Sequence, residues 1–217
     1  MSTQENAVAM EALVAKADIS GIISEMQAYP GYIPVVWNNA LGTPTAGDMA
    51  PYCAVIVGND FLWSSGNMDS TVIGNSLAGY LDGGGHVIES MYVQSFDEWG
   101  VGGTYITGGY SPFTKATLDN WYGDTMEVLD PANPVTTGLG AINDGGGHQN
   151  PGLAGGAANP ADWYDTGYNM IAVNSNVVAI NQLLFAQASW TGDVPLMLNN
   201  ALNYLCPSGP GPAYDVN

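Results

Sequence analysis

The chain has 217 residues and a formal net charge of −18 at pH 7, yet only 10% of its residues are charged, because Lys16 and Lys115 are its only basic side chains. Nucleic acid and anionic lipid are excluded as expected partners, since both require Lys or Arg to neutralise phosphate. No apolar run reaches the roughly 18 residues of a membrane helix. We therefore expect a single large domain that neither binds nucleic acid nor inserts into a membrane.

The first half of the chain alternates between strand and helix patterns. Segment 7–14 fits either pattern by periodicity alone, and we interpret it as a central strand because the sheet would otherwise lack a member. Asp18 and Asp69 are N-cap candidates for two helices. The alternation predicts a parallel sheet with helices on both faces. The further predicted strands are 33–37, 53–57 and 86–93, and the predicted helices are 19–29 and 71–81.

The second half of the chain is less regular. Asn174-Ser175-Asn176 joins two apolar runs and predicts a hairpin. Segment 207–217 is rich in Pro and Gly and suits a tail or extended arm, which leaves 1–206 as one domain. The remaining predictions are a short helix at 114–121, a strand at 126–129, a Gly-rich loop at 138–160, hairpin strands at 170–173 and 177–184, and a last helix at 196–205. The predicted fold class is an α/β three-layer sandwich with a mostly parallel sheet.

Several motifs between residues 47 and 205 resemble a known family. They are CAVIVGND (53–60), IGNSLAGYLDGGGHVI (73–88), WGVGGTYITGGYSPF (99–113), VLDPANPVTTGL (128–139) and VVAINQLLF (177–185). Together they resemble a class I glutamine-amidotransferase-like domain of flavodoxin type, of the variety found in bacterial secreted proteins. The GGYSPF and DP-x-x-P-V-x-x-G-L runs are the most specific. The resemblance implies the fold, whereas function transfers poorly between members of such a superfold.

The resemblance also implies a nucleophilic cysteine at a tight turn after a strand, with a histidine base nearby. The corresponding segment here is 89–93, and it contains no cysteine. Ser90 is the only replacement we consider, with His148 as base and Glu89 or Asp60 as the residue that orients it. The alternative is that Ser90 is simply an uncharged residue of a buried strand.

Several aromatic and polar residues are predicted to meet where the parallel strands end. Ligands of open α/β sheets bind at this carboxyl edge. Aromatic rings beside carboxylates and amides suit a sugar or a peptide. The alternative is that the rings pack the long loop after residue 89 onto the sheet. The candidate binding residues are Asp60, Trp63, Glu89, Gln94, Trp99 and Tyr110.

The pentapeptide Asp-Gly-Gly-Gly-His occurs at 82–86 and again at 144–148. In the second copy, Asp144 and His148 are two potential ligands, which is a weak pattern for a metal site. Calcium held by scattered aspartates and carbonyls leaves no motif, so it stays open as a cofactor. No other cofactor is expected.

Cys53 and Cys206 are the only cysteines in the chain. Cys53 stands at the amino end of a predicted parallel strand. Cys206 follows a helix that should run antiparallel to the strands, so both cysteines fall at the same edge of the sheet. We predict a disulfide between them, and the alternative is two buried free thiols.

These observations favour a non-catalytic extracellular module with a structural or binding role. The low charge and the Asn- and Tyr-rich composition resemble an interface, so we expect the protein to associate with itself, and a glycan or peptide is a possible further partner. The alternative is a hydrolase or acyl-transfer enzyme with an unrecognised serine or carboxylate site at the carboxyl edge.

Overall fold

A computed structural model describes residues 8–15, 20–26, 29, 32–59, 62–96, 98–117, 123–145, 147–185 and 190–207. Its main feature is an eight-stranded sheet in the order β2-β1-β3-β4-β9-β8-β7-β5. The first five strands in that order are parallel to one another, and the last three continue the sheet in antiparallel pairs. Strand bounds are β1 Val8–Ala15, β2 Tyr32–Val36, β3 Ala54–Asn59, β4 His86–Glu89, β5 Met126–Val128, β7 Ala158–Trp163, β8 Asn169–Val173 and β9 Val177–Ile180. Two further strands, β6 (Ile142–Asp144) and β10 (Trp190–Gly192), form a small separate pair.

Helices cover both faces of the sheet. They are α1 (Ser20–Met26), α2 (Ala46–Met49), α3 (Ser70–Asp82), α4 (Gly103–Thr107) and α5 (Val194–Leu205). Because side chains alternate along a strand, β3 supplies both cores. Its Ile56 joins the apolar cluster under α1 and α5, whereas Val55 and Val57 join the cluster under α2, α3 and α4. The predicted α/β three-layer sandwich with a mostly parallel sheet is therefore correct.

The strongest sequence patterns gave elements close to their predicted bounds. The Asp69 side chain accepts hydrogen bonds from the backbone N–H groups of Thr71 and Val72, at 2.8 and 2.9 Å, and so caps α3. The hairpin of β8 and β9 is present. Strand β1 lies in the sheet between β2 and β3, as an interior strand.

Five predicted elements need correction. The strand predicted at 177–184 ends at Ile180. Strand β4 ends at Glu89 rather than at residue 93, because the chain turns there and Tyr92 takes a positive φ of 73°. Tyr29, the last residue of the predicted helix 19–29, is not helical, and residues 27 and 28 lie outside the described ranges. Residues 114–117 are not helical, since Ala116 forms a bridge with Ser95, and residues 118–121 of that predicted helix lie outside the described ranges. The predicted loop 138–160 contains β6 and the start of β7.

The predicted disulfide is present. Cys53 precedes β3 and Cys206 follows α5, and the two residues are bonded with their Cα atoms 6.1 Å apart. Both cysteines of the chain are consumed by this bond. The bridge ties the end of α5 to the amino edge of the parallel strands, opposite the carboxyl edge where chemistry is expected.

Candidate functional site

The carboxyl ends of β3, β4 and β9 meet at the middle of the sheet. Asn59, Glu89 and Asn181 lie at or just beyond these three ends, and all three are at least 97% buried. Beyond Glu89 the chain continues as a turn that hydrogen-bonds to both neighbouring strands. Ser90 N–H donates to the Val57 carbonyl at 2.8 Å, and Met91 N–H donates to the Gln182 carbonyl at 3.1 Å.

Glu89 is the centre of the site and is only 1% exposed. The Tyr105 hydroxyl of α4 donates to its Oε1 in a very short hydrogen bond. The Ser111 hydroxyl donates to Oε2 at 2.9 Å, and the Gln94 amide lies 3.3 and 3.4 Å from the two oxygens. Burial raises the pKa of Glu89 to about 7, although these three donors and the charge of Lys115 act in the opposite direction. A carboxyl with such a pKa exchanges its proton near neutrality.

Ser90 is held by backbone groups rather than by a base. Its hydroxyl donates to the Gln182 carbonyl at 2.9 Å and accepts from the Leu184 N–H at 3.2 Å. The proposed base, His148, has its Nδ1 2.7 Å from Asp144 and its Nε2 3.3 Å from the Thr166 hydroxyl. The structure therefore does not assemble the Ser90 and His148 pair considered from the sequence.

Trp63 and Trp99 are brought together, but through a structural contact. The buried Trp63 indole N–H donates to the Trp99 carbonyl at 2.8 Å, and the Asn59 amide donates to the same carbonyl at 2.9 Å. The half-buried Trp99 ring packs on Tyr92 at a centroid distance of 5.0 Å. Asn59 thus fastens the long loop to β3 and Trp63 fastens it to the turn that follows β3, and of the two tryptophan rings only that of Trp99 is partly open to solvent.

Tyr110 lies at the opposite edge of the sheet, contrary to the prediction. Its hydroxyl donates to Asp82 at the end of α3 at 2.8 Å, and its carbonyl accepts from Asn174 in the turn before β9. Both contacts are on the amino side of the parallel strands. Its ring stacks on Tyr105 at 6.1 Å. The other predicted binding residue, Asp60, lies outside the described ranges.

A polar network that the sequence did not predict closes the carboxyl edge. The Gln149 side chain donates to the Ser95 hydroxyl at 2.9 Å and to the Thr117 carbonyl at 3.0 Å. The Gln149 backbone exchanges two hydrogen bonds with the Asn181 side chain, at 2.9 and 2.7 Å. Beside Glu89 these groups leave a cavity of only about 10 Å³, which is the space of a single water molecule.

His148 is the centre of a second buried cluster. Besides its contact with Asp144, its Nε2 lies 3.8 Å from Asp124, and its ring stacks on Trp163 at 4.8 Å. Burial alone would raise the pKa of Asp124. The hydrogen bonds that Asp124 accepts from Thr125, Asp165 and Thr166 have a larger combined effect, so its pKa is lowered. Asp144 and His148 are hydrogen-bonded to each other. The described ranges contain no group of three His, Cys, Asp or Glu side chains placed to hold a metal, so these residues supply no site for calcium or another metal.

Comparison with solved structures identifies the fold. A ThuA-like protein from Bacteroides uniformis matches with a TM-score of 0.61 and 12% identity, over 92% of this chain and 90% of that one. A cytoplasmic protein from Salmonella typhimurium matches with a TM-score of 0.65 and 9% identity, over 90% and 98%. A glutamine amidotransferase from Thermotoga maritima matches with a TM-score of 0.50 and 8% identity, over 90% and 81%. The fold is amidotransferase-like.

Other comparisons limit what the likeness shows. No protein-family model matches the sequence, and no curated protein matches it either. Identities of 8 to 12% establish the fold alone. Within the described ranges, no helix has the length and apolar character needed to span a membrane.

Proposed function

We propose that this protein is a non-catalytic extracellular module with a structural or binding role. The observation that carries the proposal is the state of its carboxyl edge. Glu89 receives three side-chain donors, Ser90 is held by two backbone groups, and the cavity that the described residues form beside Glu89 admits about one water molecule. Substrate pockets are usually clefts of about 300–1,000 Å³. The groups that could act on a substrate are instead used to close the edge.

The extracellular setting is supported by the disulfide. Disulfides persist in oxidising compartments and are rare where glutathione and thioredoxin keep thiols reduced. The bond between Cys53 and Cys206 uses every cysteine that the chain has.

Self-association is supported by the chemistry of the surface. Three large apolar side chains, Leu41, Phe96 and Tyr164, are 66 to 70% exposed. With only two basic residues among 217, few salt bridges and ammonium groups would have to be desolvated at an interface. The net charge of −18 opposes contact between copies, so we expect association to strengthen when salt screens the carboxylates or calcium bridges them.

The proposal is tested by light scattering and electron microscopy on the purified protein, at low and high salt and with calcium or magnesium. We expect larger assemblies as ionic strength rises, and a greater effect of calcium than of salt at equal ionic strength. Chain 1–206, which lacks the arm at 207–217, is the matched variant and should assemble less. A monomer under every condition, unchanged by removal of the arm, would contradict self-association.

A second function is favoured by one observation, the raised pKa of Glu89. A buried carboxyl that titrates near pH 7 at the carboxyl edge of an α/β sheet suits a general acid or base in a hydrolase. Glutaminase and esterase assays distinguish the two functions. Turnover that is lost in Glu89→Gln but kept in Ser90→Ala would establish an enzyme with a carboxylate site, whereas background rates in all three proteins would support the non-catalytic module.

A further inference from the structure

A cavity lies at the amino edge of the sheet, away from Glu89. Its volume is about 200 Å³. It is lined by Ala46 and Ala50 of α2, by the end of α3, by the Gly83-Gly84-Gly85 turn and by His86. Cys53, one half of the disulfide, also lines it.

The two cysteines differ in exposure, although both pack against the apolar cluster under α1 and α5. Cys53 is half-buried and opens onto this cavity. Cys206 is 4% exposed and belongs to the apolar cluster under α1 and α5, on the other face of the sheet from α2 and α3. Cys53 lines the cavity and Cys206 does not, so a molecule inside the cavity meets Cys53 first. Because thiol–disulfide exchange depends on which sulfur the attacking thiolate can reach, exchange from the cavity is directed to Cys53.

We propose that the cavity is an entry site for small thiols, which exchange selectively with the disulfide at Cys53. A thiolate forms a new S–S bond to the Cys53 sulfur while the bond between Cys53 and Cys206 breaks. The electron pair leaves with the Cys206 sulfur, which becomes a thiolate and takes a proton from water. The product is a mixed disulfide on Cys53 and a free thiol at Cys206, and no separate oxidant is required.

The charge around the cavity selects among thiols. No Lys, Arg, Asp or Glu side chain lines it, and the carboxyl end of α3 directs the partial negative charge of its carbonyl groups towards it. His86 carries a lowered pKa because of its burial, so the imidazole is neutral at pH 7. The whole chain carries −18 charges. A cationic thiol should therefore enter faster than a neutral one, and an anionic thiol should be slowest.

The experiment uses the folded protein with cysteamine, 2-mercaptoethanol and 2-mercaptoethanesulfonate, which present the same short chain with charges of opposite sign or none. Exchange is stopped and free thiols are trapped in one step with excess N-ethylmaleimide in denaturant near neutral pH, and peptide mass mapping locates the adduct. Rates are compared per thiolate, since the three thiols ionise to different extents. We expect the adduct on Cys53, alkylation on Cys206, and rates that fall from cysteamine to the sulfonate, with the differences shrinking at high salt.

A matched pair of variants tests the cavity itself. Ala50→Phe places a ring in the cavity and should slow exchange several-fold. Ala132→Phe, at an exposed position in the turn after β5, should leave the rate unchanged. Adducts found on Cys206 or divided equally, equal rates in the two variants, or reaction only after denaturation would each overturn the proposal.

Discussion

Glu89 shows how a single buried carboxyl couples the fold to pH. In the unfolded chain it releases its proton near the ordinary pKa of 4.5, whereas burial in the folded protein raises the pKa to about 7. Between those values the native state binds more protons than the unfolded state. Because stability rises with pH only where the unfolded state binds more protons, this group makes the free energy of unfolding fall as the pH rises from about 4.5 to 7.

We therefore predict that Glu89→Gln removes a pH-dependent component of stability. The unfolding free energy of the wild type, relative to that of the variant, should decrease as the pH rises from 4.5 to 7 and should stay constant above pH 8. Urea denaturation across that pH range measures it, and the subtraction cancels every other titrating group. A difference that is flat throughout would show that Glu89 titrates normally in the folded protein.

At the level of residues, part of this site could be predicted and part could not. Glu89 and Gln94 were found because they follow a buried strand in an α/β pattern, and such strand ends carry ligands. Tyr105 and Ser111 complete the site from the loop and α4, at 16 and 22 residues from Glu89. Gln149 and Asn181 lie 32 residues apart. Nothing in local spacing reports contacts of this range, since they depend on how the loops return to the sheet.

Helix α3 packs against the segment that leads into α4, and a glycine makes the close approach possible. A Cβ added at Gly74 would lie 1.9 Å from the Gly102 carbonyl oxygen, which is backbone and has little freedom to move. Gly79 is one and a half turns later in the same helix, is exposed, and would place its Cβ an ordinary 3.4 Å from Ala46.

We predict opposite effects for alanine at these two positions. Gly74→Ala should lower the free energy of unfolding by about 1–3 kcal/mol, the usual cost of forcing extra atoms into a packed interior. Gly79→Ala should raise it by about 0.5–1 kcal/mol, because alanine restricts the unfolded chain and favours helix. Thermal or urea unfolding of both variants decides the matter, and equal effects would contradict the packing of α3 on the Gly102 segment.

The predicted elements succeeded where the pattern was long and periodic. Helix α3 carried a side-chain cap and an apolar face over 13 residues, and the strand predicted at 53–57, which overlaps β3, was wholly apolar. Strand β7, with sequence ANPADW, contains the residue types that strands disfavour, and it forms because its neighbours β5 and β8 offer hydrogen bonds on both sides. Tertiary pairing overrides local preference there. The early end of β4 has the same origin, since the turn at Ser90 is held by Val57 and Gln182.

For the whole molecule, the disulfide is a large entropic constraint. It joins residues 153 positions apart, and closing a loop of that length contributes about 5 kcal/mol in the chain-entropy treatment. The apolar face of α5 is buried independently of the bond, through side chains such as Met197, Leu198 and Leu202. The fold should therefore survive without the bridge, although with much less stability.

We predict that the double variant Cys53→Ser with Cys206→Ser keeps its near-ultraviolet circular dichroism but unfolds at a lower urea concentration. The expected loss is about 4–5 kcal/mol by the same treatment. Wild-type protein reduced before the measurement is the control and should show a similar loss. An unchanged unfolding midpoint would mean that the denatured chain is already compact enough to make the bridge redundant.

The same covalent link changes what a protease can do to this chain. Trypsin has two sites, after Lys16 and after Lys115. A cut after Lys115 divides the chain between the segment that carries Cys53 and the segment that carries Cys206, and the disulfide holds the two pieces together. The strands of the two pieces occupy separate halves of the eight-stranded sheet, and the halves meet where β4 pairs with β9. A molecule cut only after Lys115 should thus remain one covalent unit, and it should give two fragments only when it is both denatured and reduced.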